Sequence, residues 1–293
     1  MQDYRQSDEY NQYFKSLGWI LEKSGSTTVL IKKLPALGSV IKIKKCPPDV
    51  NLDQIDDLAK RYRAILIKME IDINLSHTEY KLLEAQLTQR GYVNSGLAYC
   101  PTKTSYIDLT RSCEEILLSF DSDVRNCIKS NQRNGMIVKP AEKMEDLYPL
   151  IEYAGKSRRF IFQQFPDWKK QWEVFSNKSR VLLAYSGDKL LGGNMFIMES
   201  QKAYGIFLPL SQYGRKSHAA YTLLWEGFKL AKAEGCGIFD LEGIYDARCG
   251  SPKAWLGLTA FKRKFRGKEI EFMRPKVKAL SWYLKLFAWA GML

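Results

Sequence analysis

Residues 235–267 read GCGIFDLEGIYDARCGSPKAWLGLTAFKRKFRG. A short apolar run, Gly237–Leu241, has the character of a buried strand and runs into the acidic tetrad Asp240-Leu241-Glu242-Gly243. About twenty residues later comes an aromatic and basic cluster, Phe261-Lys262-Arg263-Lys264-Phe265-Arg266-Gly267. Carboxylates at a strand end followed by dense positive charge suit a transferase that handles a bulky anionic substrate. Charge alone fits equally well with a solvated helix face beside a structural turn.

Working outward, the whole chain has 293 residues, enough for two modest domains that each bury a core. A hydrophobic content of 45% with 13% aromatics excludes an intrinsically disordered chain. The formal net charge of +13 favours an anionic partner: nucleic acid, an anionic lipid surface or a phosphorylated substrate. Six cysteines form no C-x-x-C pair, and with only His77 and His218 present no metal ligand set is expected. The cysteines fit small, partly buried residues in a reducing compartment. The polar opening MQDYRQSDEYNQYF has no signal-peptide core, and no window reaches the ~18 apolar residues of a membrane span. A cytoplasmic protein is expected.

Periodicity gives a mixed α/β chain with two similar halves. The first half runs from a helix at 6–17 through strands near Trp19–Glu22, Thr27–Lys33 and Val40–Lys44. A helix at 52–62, a strand Ala64–Ile67, a helix at 78–90 and a strand Thr104–Leu109 complete it. The second half opens with a basic helix Asp123–Asn134 and a strand Met136–Lys139. Helices near 144–155 and 167–176 and strands at 180–186, 190–199 and 201–208 follow. A helix at 218–234, the strand Gly237–Leu241, a helix near 254–264 and a strand at 269–273 close it. The expected division is a first domain at 1–120, a second at 121–276 and a C-terminal amphipathic helix at 277–293.

Six short motifs follow one another in a telling order. Gln6-Ser7 leads to Tyr13, Leu17, Gly18 and Trp19; Ile67-Lys68-Met69-Glu70 ends a strand; Gly91-Tyr92 precedes Thr104-Ser105-Tyr106-Ile107-Asp108-Leu109. Arg125-Asn126-Cys127-Ile128-Lys129 then runs to Gly135 and Val138. The strand-and-turn Gly237–Gly243 and the element Phe261–Gly267 complete the series. Over nearly its whole length the chain thereby resembles the Fem-type (FemABX) peptidoglycan interpeptide-bridge aminoacyltransferases. The early Trp of their opening motif and the Pro of their R-I-E-P strand end are missing here.

The resemblance implies two tandem GNAT-like domains and transfer of an amino acid from aminoacyl-tRNA to an amine of a peptidoglycan precursor, lipid-linked or nucleotide-linked. Aminoacyl-tRNA is then a co-substrate and no cofactor is expected. No heptad segment for a coiled-coil arm is present, which fits the compact members. Lys262 matches the lysine of the family's F-K pair and is assigned the tRNA 3′ end and the tetrahedral intermediate, with Phe261 beside it. Asp108 matches the aspartate of I-D-L and is assigned the acceptor amine; a strand-end carboxylate capping a turn is the plainer alternative.

Arg158 and Arg159, before Phe160, Phe162 and Phe165, suit a diphosphate clamp. Asp240 and Glu242 flank the strand terminus where α/β folds place chemistry, and only one of them is expected to face the site. Tyr213, expected in a loop, is a further substrate contact. Eight Lys or Arg between Lys262 and Lys278 make an uninterrupted cationic strip, in which Arg263, Lys264, Arg266 and Lys268 are assigned to tRNA phosphates.

The tail PKVKALSWYLKLFAWAGML is amphipathic as a helix and suits peripheral contact with a membrane surface, or packing on its own domain. Two other functions compete. An acyl-CoA-dependent N-acyltransferase of the GNAT superfamily would need small residues at Arg215–Ala220, where His218 stands in place of the pyrophosphate-loop glycine. A non-catalytic RNA- or membrane-binding protein would leave Asp108, Asp240 and Glu242 without a role.

Overall fold

The computed structural model describes residues 2–157, 165–250, 253, 255–282 and 284–285. Its strands in chain order are β1 (Ile20–Ser24), β2 (Thr27–Leu34), β3 (Gly38–Cys46), β4 (Ala64–Ile71), β5 (Val93–Asn94) and β6 (Lys103–Asp108). There follow β7 (Met136–Pro140), β8 (Ser179–Ser186), β9 (Lys189–Glu199), β10 (Lys202–Phe207), β11 (Ile238–Asp240), β12 (Lys268–Glu271) and β13 (Lys276–Ala279). They form a six-stranded sheet in the order β1-β2-β3-β4-β13-β5 and a seven-stranded sheet in the order β12-β6-β11-β10-β9-β8-β7.

Each sheet contains one parallel pair joined through a helix. In the first sheet β3 runs parallel to β4, and the crossover is the helix Leu52–Arg61. Asn51 caps that helix, its Oδ1 accepting from Gln54 N at 3.0 Å, and Leu52, Ile55, Leu58 and Ala59 bury one face at helical spacing. In the second sheet β10 runs parallel to β11, and the crossover is Ala219–Ala233. This helix is buried from Ala219 to Trp225 without a break, as befits an element covered on most sides, and it stops at Gly235 with φ +87°. The expected mixed α/β fold, with a sheet for each half, is what the chain adopts.

The chain divides into two compact units that are not contiguous in sequence. One comprises residues 2–104, 243–258 and 269–293; the other comprises 105–242 and 259–268. This differs from the expected boundaries at 1–120, 121–276 and 277–293, and strand pairing explains why. β6 pairs with β11, so the chain enters the second unit at residue 105. β13 pairs with β4 and β5, so the last described strand returns to the first sheet. Residues 276–279 are therefore a strand where the tail was expected to begin its helix. Beyond that strand Trp282 is 78% exposed, and residues 283 and 286–293 of the expected helix lie outside the described residues.

Each unit has its own core. Val29, Ile31, Ile41, Ile43, Ile67 and Met69 anchor the first. Phe120, Phe196, Phe228, Phe239 and Phe265 anchor the second, with Phe120 edge-on to Trp225, Phe228 and Phe265 at 5.1–6.0 Å. Among the described residues no helix is long and apolar enough to cross a membrane.

Candidate active site

The segment 235–267 resolves into parts with separable roles. β11 is short, and Asp240 at its carboxyl end is 5% exposed. The carboxylate is held on both sides: Oδ1 accepts from Glu242 N at 2.8 Å, and Oδ2 lies 3.2 Å from Lys202 Nζ. Lys202, at the start of β10 and 6% exposed, also donates to the Tyr106 hydroxyl at 2.6 Å. Its ammonium stands 4.1 Å from the Tyr106 ring centroid and 4.6 Å from that of Tyr204. A buried lysine with a carboxylate, a phenol and two aromatic faces is a fully partnered charge, so it fixes Asp240 in place.

Past Asp240 the chain turns. Glu242 adopts φ +59°, unusual for a residue with a side chain, and its half-buried carboxylate acts on the same lysine as Asp240 does. That lysine is Lys262, half-buried in the last turn of the helix Trp255–Arg263. Burial lowers its pKa to about 8, against the opposing pull of Glu242 and then Asp240. One of Asp240 and Glu242 was expected to face the site if the segment stayed extended; Glu242 at φ +59° leaves the extended conformation, and both carboxylates raise the pKa of Lys262.

The remaining residues of the Phe261–Gly267 element are explained by packing. Phe261 stacks on Tyr221 with centroids 5.1 Å apart and meets Phe265 edge-on at 5.6 Å. Phe265 is a core residue at 1% exposure. A Cβ on Gly267 would lie 2.5 Å from Ser105 Oγ and 2.8 Å from Tyr106 O, so only glycine lets this loop approach β6. Within the motif, Lys262 is the cation left facing the two carboxylates.

Asp108 is placed differently. It is exposed at the end of β6, opposite Ile238, the first residue of β11, whereas Tyr106 stands opposite Asp240. Its Oδ1 accepts from Thr110 N at 2.9 Å and from Thr110 Oγ1 at 2.6 Å, and these bonds lower its pKa. The cations acting on it are Arg111 and Lys232. The structure therefore gives Asp108 turn-capping bonds to Thr110, the plainer of the two expected roles.

The cationic strip is partly neutralised. Lys264 pairs with Asp123 and Arg266 with Asp121, both at the start of the helix Ser122–Arg133. Lys276 lies 2.9 Å from Glu84, and Lys278 lies 2.7 Å from Asp56. The strip is not uninterrupted, although Arg263 and Lys268 are exposed. Tyr213 sits in a short helix, Gln212–Lys216, instead of a loop, and is 60% exposed with Lys189 Nζ 5.0 Å from its ring centroid. Arg158 and Arg159 lie outside the described residues.

His218 N-caps the helix Ala219–Ala233 at φ +54° and makes no side-chain capping bond; its ring stacks on Tyr221 at 6.1 Å. The backbone holds the left-handed conformation that glycine favours, yet an imidazole occupies the position. Sequence reading missed Lys202, Tyr106 and Tyr204. A lysine opening the apolar strand Lys202–Phe207 was the available signal.

No protein-family model matches the chain, and no curated protein matches it in sequence. Solved structures do match in fold. A crystal structure of FemX, 15% identical, aligns over 99% of this chain and 94% of its own with a TM-score of 0.81. L-PGS from Bacillus licheniformis, 11% identical, aligns over 98% of this chain and 97% of its own with a TM-score of 0.63. The C-terminal domain of a putative lysylphosphatidylglycerol synthetase from Agrobacterium fabrum, 14% identical, aligns over 98% and 91% with a TM-score of 0.62. The chain thus has the fold of FemX over nearly its whole length.

Proposed function

We propose that the protein is a GNAT-like acyltransferase that moves an amino acid from aminoacyl-tRNA to an amine of a peptidoglycan precursor. The observation that carries this reading is Lys262, a half-buried lysine faced by two carboxylates and titrating near 8. Aminolysis of an aminoacyl ester begins with attack of a neutral amine on the carbonyl carbon. Negative charge then develops on the carbonyl oxygen, and the ester C–O bond breaks as the ribose oxygen takes a proton. An ammonium whose charge Glu242 and Asp240 favour is protonated at neutral pH and stabilises that oxyanion. With a pKa near 8 it gives a proton to the departing ribose oxygen and takes back the proton that the attacking amine sheds, so the lysine ends as it began.

Fold similarity to FemX and the ordered motif series support the family-level part of this reading. Arg263 and Lys268 are exposed and are assigned to tRNA phosphates in this reading; Lys264 and Arg266 would serve there by exchanging their carboxylate partners. Tyr213 is kept as a substrate contact in this assignment, and Phe261, packed on Tyr221 and Phe265, supports the position of Lys262 beside it. His218 argues against acyl-CoA, because its side chain occupies the position where a pyrophosphate loop needs a small residue. The similarity to a domain named as a putative lysylphosphatidylglycerol synthetase favours one second reading, a phospholipid headgroup as acceptor.

The test is a transfer assay with the purified chain. It compares charged tRNA with acetyl-CoA as donor, and a muropeptide precursor with phosphatidylglycerol vesicles as acceptor. Transfer from charged tRNA to the muropeptide is expected. Transfer only to the lipid moves the protein to the second reading, and transfer only from acetyl-CoA refutes the donor assignment.

A further inference from the structure

Three stretches of the first unit, distant in sequence, meet at one end of its sheet. β3 runs parallel to β4, with Ser39 beside Ala64, and β13 runs antiparallel to β4, with Ala279 beside Leu66. The start of β4 therefore has the turn at residues 35–37, between β2 and β3, on one side and the end of β13 on the other. Backbone bonds tie both neighbours to it: Ser39 N donates to Arg63 O at 3.1 Å, and Leu280 N donates to Ile65 O at 2.9 Å. The approach is close enough that a Cβ on Gly38 would lie 2.3 Å from Arg63 O, so only glycine fits there.

This end presents large apolar groups to water. Leu37, held in its turn by a bond from its N to Leu34 O at 3.1 Å, is 60% exposed. Leu280 is 36% exposed, and Trp282, two residues on, is 78% exposed. Turns ordinarily carry Gly, Asn, Asp or Ser at such positions. One exposed leucine needs no explanation, but three large apolar side chains brought to one end by bonds to the same strand do.

The charge around them is mainly positive. Lys33 and Arg63 are exposed, and among the described residues neither is in an ion pair. Lys60 and Arg61, in the last turn of the helix Leu52–Arg61, are exposed as well. The carboxylates they meet are Asp57 at 3.4 Å and Glu22 at 3.6 Å. Among these groups the positive charges outnumber the negative ones. Exposed Trp and Leu gain by entering the boundary between headgroups and acyl chains, and Lys and Arg are drawn to anionic headgroups. A nucleic acid suits the patch less well, because leucines offer a base no ring to stack on.

We infer that this end of the first sheet, Leu37, Leu280 and Trp282 with Lys33 and Arg63, docks on an anionic membrane surface. The surface is made of strand ends and a turn, in place of the amphipathic helix expected from residue 277 onward. It uses none of the residues assigned to transfer and stands if Lys262 proves inert.

The experiment is co-sedimentation of the full chain with phosphatidylcholine vesicles, with and without phosphatidylserine. Phosphatidylserine replaces phosphatidylglycerol so that the acceptor of the second reading is absent. Binding is expected only to the anionic vesicles and falls as salt rises. Lys33→Gln combined with Arg63→Gln is expected to weaken it at least about tenfold, at roughly fivefold for each charge. Leu37→Ser and Trp282→Ser are each expected to weaken it at least about threefold. Leu118→Ser, a control at a 62% exposed site in the second unit, leaves it unchanged. Lipids brominated in their acyl chains are expected to quench the parent's fluorescence and to quench Trp282→Ser less. The substituted side chains are exposed, so melting midpoints are expected within about 2 °C of the parent. Equal binding by all variants, or no binding to anionic vesicles, overturns the surface. A dimer in place of vesicle binding, dissociated by Leu37→Ser and Trp282→Ser, overturns it in favour of a second copy. Binding of tRNA without lipid, weakened by the same variants, overturns it in favour of RNA.

Discussion

Lys262 and Lys68 both titrate near 8, and they reach that value by different balances. At Lys262 burial works against two carboxylates, Glu242 and Asp240, and the latter is locked by Lys202. At Lys68 burial works with a like charge, Lys42, and against one carboxylate, Glu70, whose Oε1 accepts from two backbone amides while Oε2 is buried without a hydrogen bond. A lysine faced by acids keeps its charge where a reaction needs it. A lysine faced by another lysine has its charge opposed by burial and by its neighbour alike. One fold therefore uses the same residue type in two ways, and the difference lies in the neighbours.

The largest effect that would break this comparison is at Lys262. Lys262→Ala is expected to cut transfer at least ~100-fold with the circular dichroism spectrum unchanged, as for a lost oxyanion donor. Near-normal turnover would remove Lys262 from the chemistry. Next comes the backbone support: Gly267→Ala is expected to lower stability by roughly 1–3 kcal/mol in denaturant unfolding, because its Cβ meets Ser105 and Tyr106.

The pH dependence sharpens the comparison. A lysine whose folded pKa is depressed destabilises the fold fully below that pKa, and the penalty fades as pH rises toward the unfolded value. Lys68 should therefore make stability climb between about pH 8 and the unfolded lysine value near about 10.4. The climb should flatten in Lys68→Met, measured by urea midpoints across that window. The smallest effect is expected at Asp108. Asp108→Asn should change transfer by less than about threefold, because a side chain that caps a turn keeps most of its bonds as an amide. A loss of about 100-fold, the size expected of a lost catalytic group, would restore Asp108 to the site.

Much of this was legible from the residues. Period and caps located most helices and strands, and the glycine stops at Gly91, Gly135 and Gly235 fell where the backbone takes positive φ. The helix Cys113–Ser119 went unread although its capping box, Ser112 with Glu115, is written in the sequence. Domain boundaries were not legible, because β13 joins the first sheet by pairing Lys276 with Met69, far back in the chain, and no local pattern encodes such a partner. In the site, Lys262, Asp240 and Glu242 were readable from their motif. Lys202 was not, because its meaning depends on Tyr106 and Asp240 arriving beside it from other strands. The strand near Val40–Lys44 was readable, but nothing local told whether its lysines face solvent or lie under a cover.

The most direct test of the central claim is the pH profile of aminoacyl transfer by the parent chain and by Lys262→Arg. If the Lys262 ammonium stabilises the oxyanion, the parent rate falls above about pH 8, and the arginine variant, whatever its absolute rate, carries its activity to higher pH. An alkaline limb that is the same in both proteins would contradict the assignment.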